Sequence, residues 1–196
     1  MGAAMRKILL SFGILFVLLV FVCQAGAFEL SADMITKDGD QKQSGKLYVK
    51  GNKYRIEMKN GSEYAIIRHD KNKSWIVIPD QKAYIEMPFD PKKKPAIEEK
   101  QSHEGSRKFL GSEVIDGRET KKYQVSTKEG DANDSFYQWI ATDLNFPVKT
   151  MALNGSWSIE YRNIKTSVPD SLFEIPESYE KINMPSNATG EVKRSR

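Results

Sequence analysis

Residues able to do chemistry are few and scattered in this chain. Histidine, the commonest catalytic and metal-binding residue, occurs only at His69, beside a turn signal, and His103, in a polar stretch. Neither has a second His or a Cys at ligand spacing, so no zinc site is expected. Lys37-Asp38-Gly39-Asp40 opens like a calcium loop but lacks the ligands that should follow. No nucleophile elbow, phosphate loop or dinucleotide fingerprint occurs. Glu98 and Glu99 are adjacent, but nothing apolar around them would raise a carboxyl pKa. A hydrolase built from carboxylates that converge only in space is the one catalytic arrangement left open. The expectation is therefore a protein that is not an enzyme and carries no cofactor or metal.

What remains is apolar and aromatic. Tyr64, Trp75, Tyr84, Tyr137, Trp139, Trp157 and Tyr161 fall in strand-like runs, where core packing is their first use. A concave sheet lined by such residues would also make a groove for a lipid tail or an apolar peptide. Each buried methylene of an acyl chain contributes about 0.8 kcal/mol, so a long chain needs few polar contacts. The candidate lining is Tyr54, Ile56, Ile66, Trp75, Val77, Trp139, Trp157 and Ile159. Arg55 and Arg68 are candidate polar contacts at its mouth, with surface charge as the plainer role for both.

The elements that must position these residues are legible from turn chemistry. Ser44–Met87 reads as five short strands, Ser44–Lys50, Lys53–Met58, Glu63–Arg68, Lys73–Ile78 and Ala83–Met87. Gly51-Asn52, Asn60-Gly61, Asp70-Lys71-Asn72 and Pro79-Asp80-Gln81 join them, and such short loops allow only antiparallel pairing. Ahead of them Phe28, Leu30, Ala32 and Met34 alternate through Phe28–Thr36. Ile66-Ile67 and Trp75-Ile76-Val77-Ile78 are apolar on both faces, which requires cover on both. Pro88–Pro95 interrupts the ladder, and Ala96–Lys108 reads as an exposed loop, with a short helix or lid as the alternatives. A second meander follows: Phe109–Ile115, Thr120–Ser126, Ser135–Ala141, Val148–Leu153 and Ser156–Ile164. The fold class is mainly β, a single curved antiparallel sheet of about eleven strands with little helix, since so long a sheet must curl. Leu172, Phe173, Ile175 and Tyr179 mark Pro169–Ile182 as a segment that docks on it.

Met1–Ala27 reads as a cleaved signal peptide: Arg6 and Lys7, an apolar run over Ile8–Val22, then Ala25-Gly26-Ala27. Cys23 is the chain's one cysteine. Val22 is not the small residue that lipoprotein processing prefers before the cysteine, so Cys23 is read as inert. Without disulfides, stability rests on core and sheet. A single domain is expected over 28–184 and a disordered polar tail over 185–196. The net charge is +4, with no basic stripe among exposed aromatics, so nucleic acid is not an expected partner. The periplasm is the expected location. The N-x-[ST] sequons at Asn60, Asn72, Asn133, Asn154 and Asn187 are read as incidental.

Gly45–Met58 (GKLYVKGNKYRIEM) resembles the opening strands of the periplasmic lipoprotein-carrier superfamily, the LolA and LolB type. Ser74–Tyr84 (SWIVIPDQKAY) is similar to its Trp-and-Pro hairpin. Ile115–Tyr123, Asp143–Thr150 and Leu172–Tyr179 are similar to the DUF4412 branch grouped with that fold. The resemblance implies an incomplete β-barrel, a half barrel whose concave side holds lipoprotein acyl chains beneath a helical lid. Gly51-Asn52 stands where the carriers have Arg-Pro, and only Ala96–Lys108 could stand for the lid. The reading is a monomeric, non-enzymatic binder of lipid, lipoprotein acyl chains or another apolar ligand. The alternative is an envelope protein-interaction or sensor module whose barrel is filled by its own side chains.

Overall fold

Short alternating runs punctuated by turn residues give the strands, in a computed structural model that describes residues 28–59, 61–89, 104–127 and 135–183. The expected leader at 1–27, Asn60, the insert up to His103 and the tail at 185–196 lie outside the described residues. The first meander runs β1 Glu29–Asp38, β2 Gln41–Lys50, β3 Lys53–Met58, β4 Tyr64–Arg68, β5 Lys73–Ile78 and β6 Ala83–Met87. The second runs β7 Glu104–Ile115, β8 Arg118–Thr127, β9 Phe136–Ala141, β10 Phe146–Ala152 and β11 Trp157–Lys165, with a short β12 at Glu180–Lys181.

All twelve strands form one sheet in the order β12-β6-β5-β4-β3-β2-β1-β11-β10-β9-β8-β7. The two meanders meet where β1 pairs with β11, Met34 lying opposite Tyr161. The ends of this order, β12 and β7, do not pair, so the sheet is open. Bulges bend it. Between Ser31 and Asp33 the register slips against β11, where Asn163 takes a left-handed φ of 52°. Further slips fall at Pro147/Lys149 in β10 and Phe109/Gly111 in β7. Each inserts residues into one strand and turns it away from flatness. The described residues contain 3₁₀ turns and no α-helix, and no helix among them is long and apolar enough to cross a membrane. This is the mainly β, curved and unclosed sheet that the sequence implies, with twelve strands in place of about eleven.

Turn geometry follows residue type. Asp116 and Gly117 are both left-handed, φ 51° and 76°, the type I′ corner that suits the twist of β7 and β8. The β4–β5 and β5–β6 corners are 3₁₀ turns at His69–Lys71 and Pro79–Gln81. They close on left-handed Asn72 and Lys82, whose N–H groups donate to the carbonyls of His69 and Pro79. One expectation needs correction. Glu104–Lys108, read as the end of an exposed loop, is the start of β7 and pairs with β8. Polar composition hid it: Glu104 is buried and accepts two bonds from Arg107 at 2.8 Å.

Burial is concentrated in two places. The main core joins Leu30, Ala32, Met34, Leu47, Val49 and Tyr54 to Trp139, Ala141, Phe146, Val148 and Tyr161. Phe146 lies 5.2 Å from the Tyr161 ring and 6.0 Å from Phe28. Burial pushes the Tyr161 phenol up to about 12. The second site of burial lies across the opposite side of the first meander. There Val168, Phe173, Ile66 and Val77 are buried under a strap formed by residues 168–182. Its 3₁₀ turn, Asp170–Phe173, touches β3 and β4, and its end adds to β6 as the parallel strand β12. Strands apolar on both faces are thus covered on both.

Candidate functional site

The register decides which expected site residues can share a surface. Val49 lies opposite Tyr54 and Leu47 opposite Ile56, so Tyr54 and Ile56 belong to the main-core side. Thr36 pairs with Ile159 and Asp38 with Trp157, which keeps those two on the Met34 side. Arg55 lies opposite Ile66, and Ile66 opposite Trp75. With Val77 and Arg68, these form the strap-facing side. The proposed lining is therefore divided between two surfaces. Tyr54, Ile66, Val77 and Trp139 are buried by the protein's own side chains, whereas Trp157 is exposed. Trp139 donates from Nε1 to Glu113 at 3.0 Å and packs under Lys122 and Lys149.

Arg68 is a strap anchor. Its side chain is 5% exposed, with Nε and Nη2 donating to the two Asp70 carboxylate oxygens at 2.8 and 2.6 Å. Nη1 donates to the Phe173 carbonyl at 3.2 Å and to Glu174. These bonds hold the guanidinium charged and the Asp70 carboxyl below the usual range. Lys50 and Lys53 grip Asp170 at 2.9 and 2.6 Å, holding its carboxyl down at about 2. His69 sits edge-on between Tyr54 and Phe89, at 5.7 and 4.9 Å.

Of the expected set, Arg55 lines an open cavity. A cleft of about 660 Å³ is bounded by Asp33, Met34 and Ile35 of β1, Ser44, Gly45 and Lys46 of β2, and Arg55, Glu57 and Met58 of β3. Lys59, Gly61–Tyr64 and Pro79 complete it. Asp33, Lys46, Glu57 and Tyr64 stand side by side across β1–β4, giving alternating charge beside an aromatic ring. Arg55 is fixed by three contacts. Its guanidinium lies 3.7 Å from the centre of the Tyr64 ring, Nε donates to Glu57 at 2.6 Å, and Nη1 donates to the strap carbonyl of Leu172 at 3.1 Å. Burial, then Glu57, raises the pKa of neighbouring Tyr48. The apolar part of the wall is Ile35 and the Tyr64 ring, because Met34 and Met58 turn their side chains to the main core. Gly45 fits only without a side chain, because a Cβ there would run into the Glu57 carbonyl oxygen.

The cleft residues other than Arg55 were missed. Their signal was present in Lys46-Tyr48-Lys50, the polar alternation opposite Leu47 and Val49, which reads equally well as a solvated face. Among the described residues no group of three His, Cys, Asp or Glu side chains could hold a metal ion.

The family model DUF4412, a domain of unknown function, matches residues 28–145. No curated protein matches the sequence. The crystal structure of MucB superposes with TM-score 0.53 at 11% identity, covering 78% of this chain and 58% of MucB. The complex structure of Pseudomonas aeruginosa MucA/MucB gives TM-score 0.55 at 11% identity, covering 80% of this chain and 58% of that one. The chain thus spans less than two thirds of these structures, and the likeness is one of fold. A putative outer membrane lipoprotein-sorting protein domain from Vibrio parahaemolyticus is similar at 10% identity, with TM-score 0.33 over 76% of this chain and 91% of that domain; nothing rests on it.

Proposed function

We propose that this chain, which belongs to the DUF4412 family, is a non-enzymatic binding protein of the bacterial envelope that holds an amphiphile in the cleft between β1 and Pro79. The ligand class is an acyl chain with a polar head, as on a lipid or a lipoprotein. One observation carries this: the cleft of about 660 Å³ sets Ile35 and the Tyr64 ring beside Lys46, Arg55 and Glu57. That volume falls in the range of roughly 300–1,000 Å³ usual for small-molecule sites. Apolar wall takes the chain, and the paired charges at the rim meet the head. Export through Met1–Ala27 would deliver the protein to the periplasm. The carboxylates also support a binding role. Among the described residues, every resolved carboxylate shift, at Asp70, Glu86, Glu113, Asp170 and Glu174, is downward, the direction of ion pairing and not of a general acid.

A polypeptide is the second reading, because the alternating charges of Asp33, Lys46 and Glu57 suit a peptide backbone with mixed side chains. MucB is solved in complex with MucA(peri), a statement about MucB that makes this class worth testing here. The test is organic extraction and mass spectrometry of protein purified from envelope fractions, beside a Ser44→Trp variant that fills the cleft. Co-extracted lipid that disappears in the variant supports the amphiphile. A peptide lost in the variant moves the assignment to the second reading, and empty protein in both samples overturns it.

A further inference from the structure

The cleft leaves the far end of the sheet unexplained. β7 is the terminal strand, twelve residues long, and no described strand lies on its outer side. Phe109 is 55% exposed, Leu110 41% and Val114 69%. Single exposed apolar residues are ordinary. Three on one bare edge strand, whose outer backbone groups have no ladder partner among the described strands, form a pairing template. The opposite edge, β6, is shielded by β12.

We propose that β7 is the docking edge for a second copy of this chain, joined antiparallel so that the sheet runs on through the dimer. The occupant follows from the order of charges. Exposed Lys108 lies in the first half of the strand and Glu113 in the second. A two-fold axis between Leu110 and Gly111 sets Lys108 opposite Glu113 of the second copy, and the pair occurs twice, as an isologous contact requires. The same register places Phe109 diagonal to Val114 of the second copy, within reach of an aromatic ring. The bulge at Phe109/Gly111, where Gly111 takes φ 135°, falls at this axis, so each regular half of the strand meets the other regular half. Glu113 already accepts from Trp139 and Lys122, but its side chain stays 49% exposed and can take another cation. One strand pair is a small interface, so self-association should be weak and concentration-dependent.

The test is sedimentation velocity on the exported chain across a concentration series reaching the millimolar range. Wild type should pass from monomer to dimer, and Val114→Lys should remain monomeric with unchanged circular dichroism. Lys108→Glu, which opposes like charges twice, should weaken association about tenfold. Oxidising an equimolar mixture of Lys108→Cys and Glu113→Cys should give mixed dimers in excess of either homodimer. The proposal is overturned by a monomer at every concentration, by a dimer indifferent to Val114→Lys, or by a β7 that pairs only with a strand of another protein. Cleft occupancy plays no part in these readings, so they succeed or fail apart from the amphiphile assignment.

Discussion

At the β6 end of the sheet, β12 lies alongside β6 and the strap is tied across the face by Lys50, Lys53, Arg55, Arg68 and Lys71. At the β7 end there is a two-sided hairpin with β8, a bulge, and apolar side chains in solvent. Both ends face the same physical demand, since an unpaired strand edge must be satisfied by something. One end meets it from within the chain, through a segment far downstream of the strands it covers. At the other end no described strand pairs with the outer side of β7, the edge proposed above to meet a second copy. The difference shows that an edge strand's role depends on which distant segment reaches it, which its local sequence does not reveal.

The largest test of this contrast is at Phe173. If the strap is held mainly by the burial of this ring, Phe173→Ala should lower stability by about 3–5 kcal/mol in urea unfolding. It should also expose the amides of Glu180 and Ile182, which donate to the Lys82 and Tyr84 carbonyls, to rapid hydrogen exchange. An effect under about 1 kcal/mol would mean that the ion pairs, and not the ring, hold the strap. Next comes Arg68→Met, which removes the buried charge while keeping much of the volume. The loss should be about 2 kcal/mol, the scale of hydrogen bonds to a charged group, with exchange again rising first at β12. A smaller effect is expected from acid. The Asp170 carboxyl titrates at about 2 when folded against 3.8 unfolded, so its contribution is complete above 3.8 and fades as the pH falls towards 2. Strap amides should lose protection across that window while the amides of β1 and β2 keep theirs. Asp170 is solvent-exposed, so the change should shrink in high salt. Smallest is Val114→Lys at the bare edge, which should move monomer stability by no more than about 0.5 kcal/mol. A larger loss would show that β7 already belongs to the packed body of the protein, and the contrast between the two ends would collapse.

How far the sequence could be read follows the same line between local and distant. The strands from Lys53 to Met87 were legible because Gly51-Asn52, Asp70-Lys71-Asn72 and Pro79-Asp80-Gln81 encode their corners locally. Ile66 and Val77 were legible as doubly covered, although their cover could only be called a docking C-terminal segment. Arg68 read most simply as surface charge, because its partners Phe173 and Glu174 lie far downstream. Glu104–Lys108 was unreadable as strand, since polar residues join a ladder only when a neighbour such as β8 is already in place. The candidate site was legible at Arg55 alone. Tyr54 and Ile66 both alternate correctly within their own strands, but the β3–β4 register assigns them to opposite sides, and period-2 alternation says nothing about which side is hollow.

The most direct test of the binding assignment is site mapping with a photoreactive fatty acid, followed by peptide mass spectrometry. Label should concentrate on the peptides carrying Ile35, Lys46 and Tyr64, and unlabelled lipid should compete it away. Label confined to peptides carrying Phe109, Val114 or Trp157, or no competable label at all, would contradict the account.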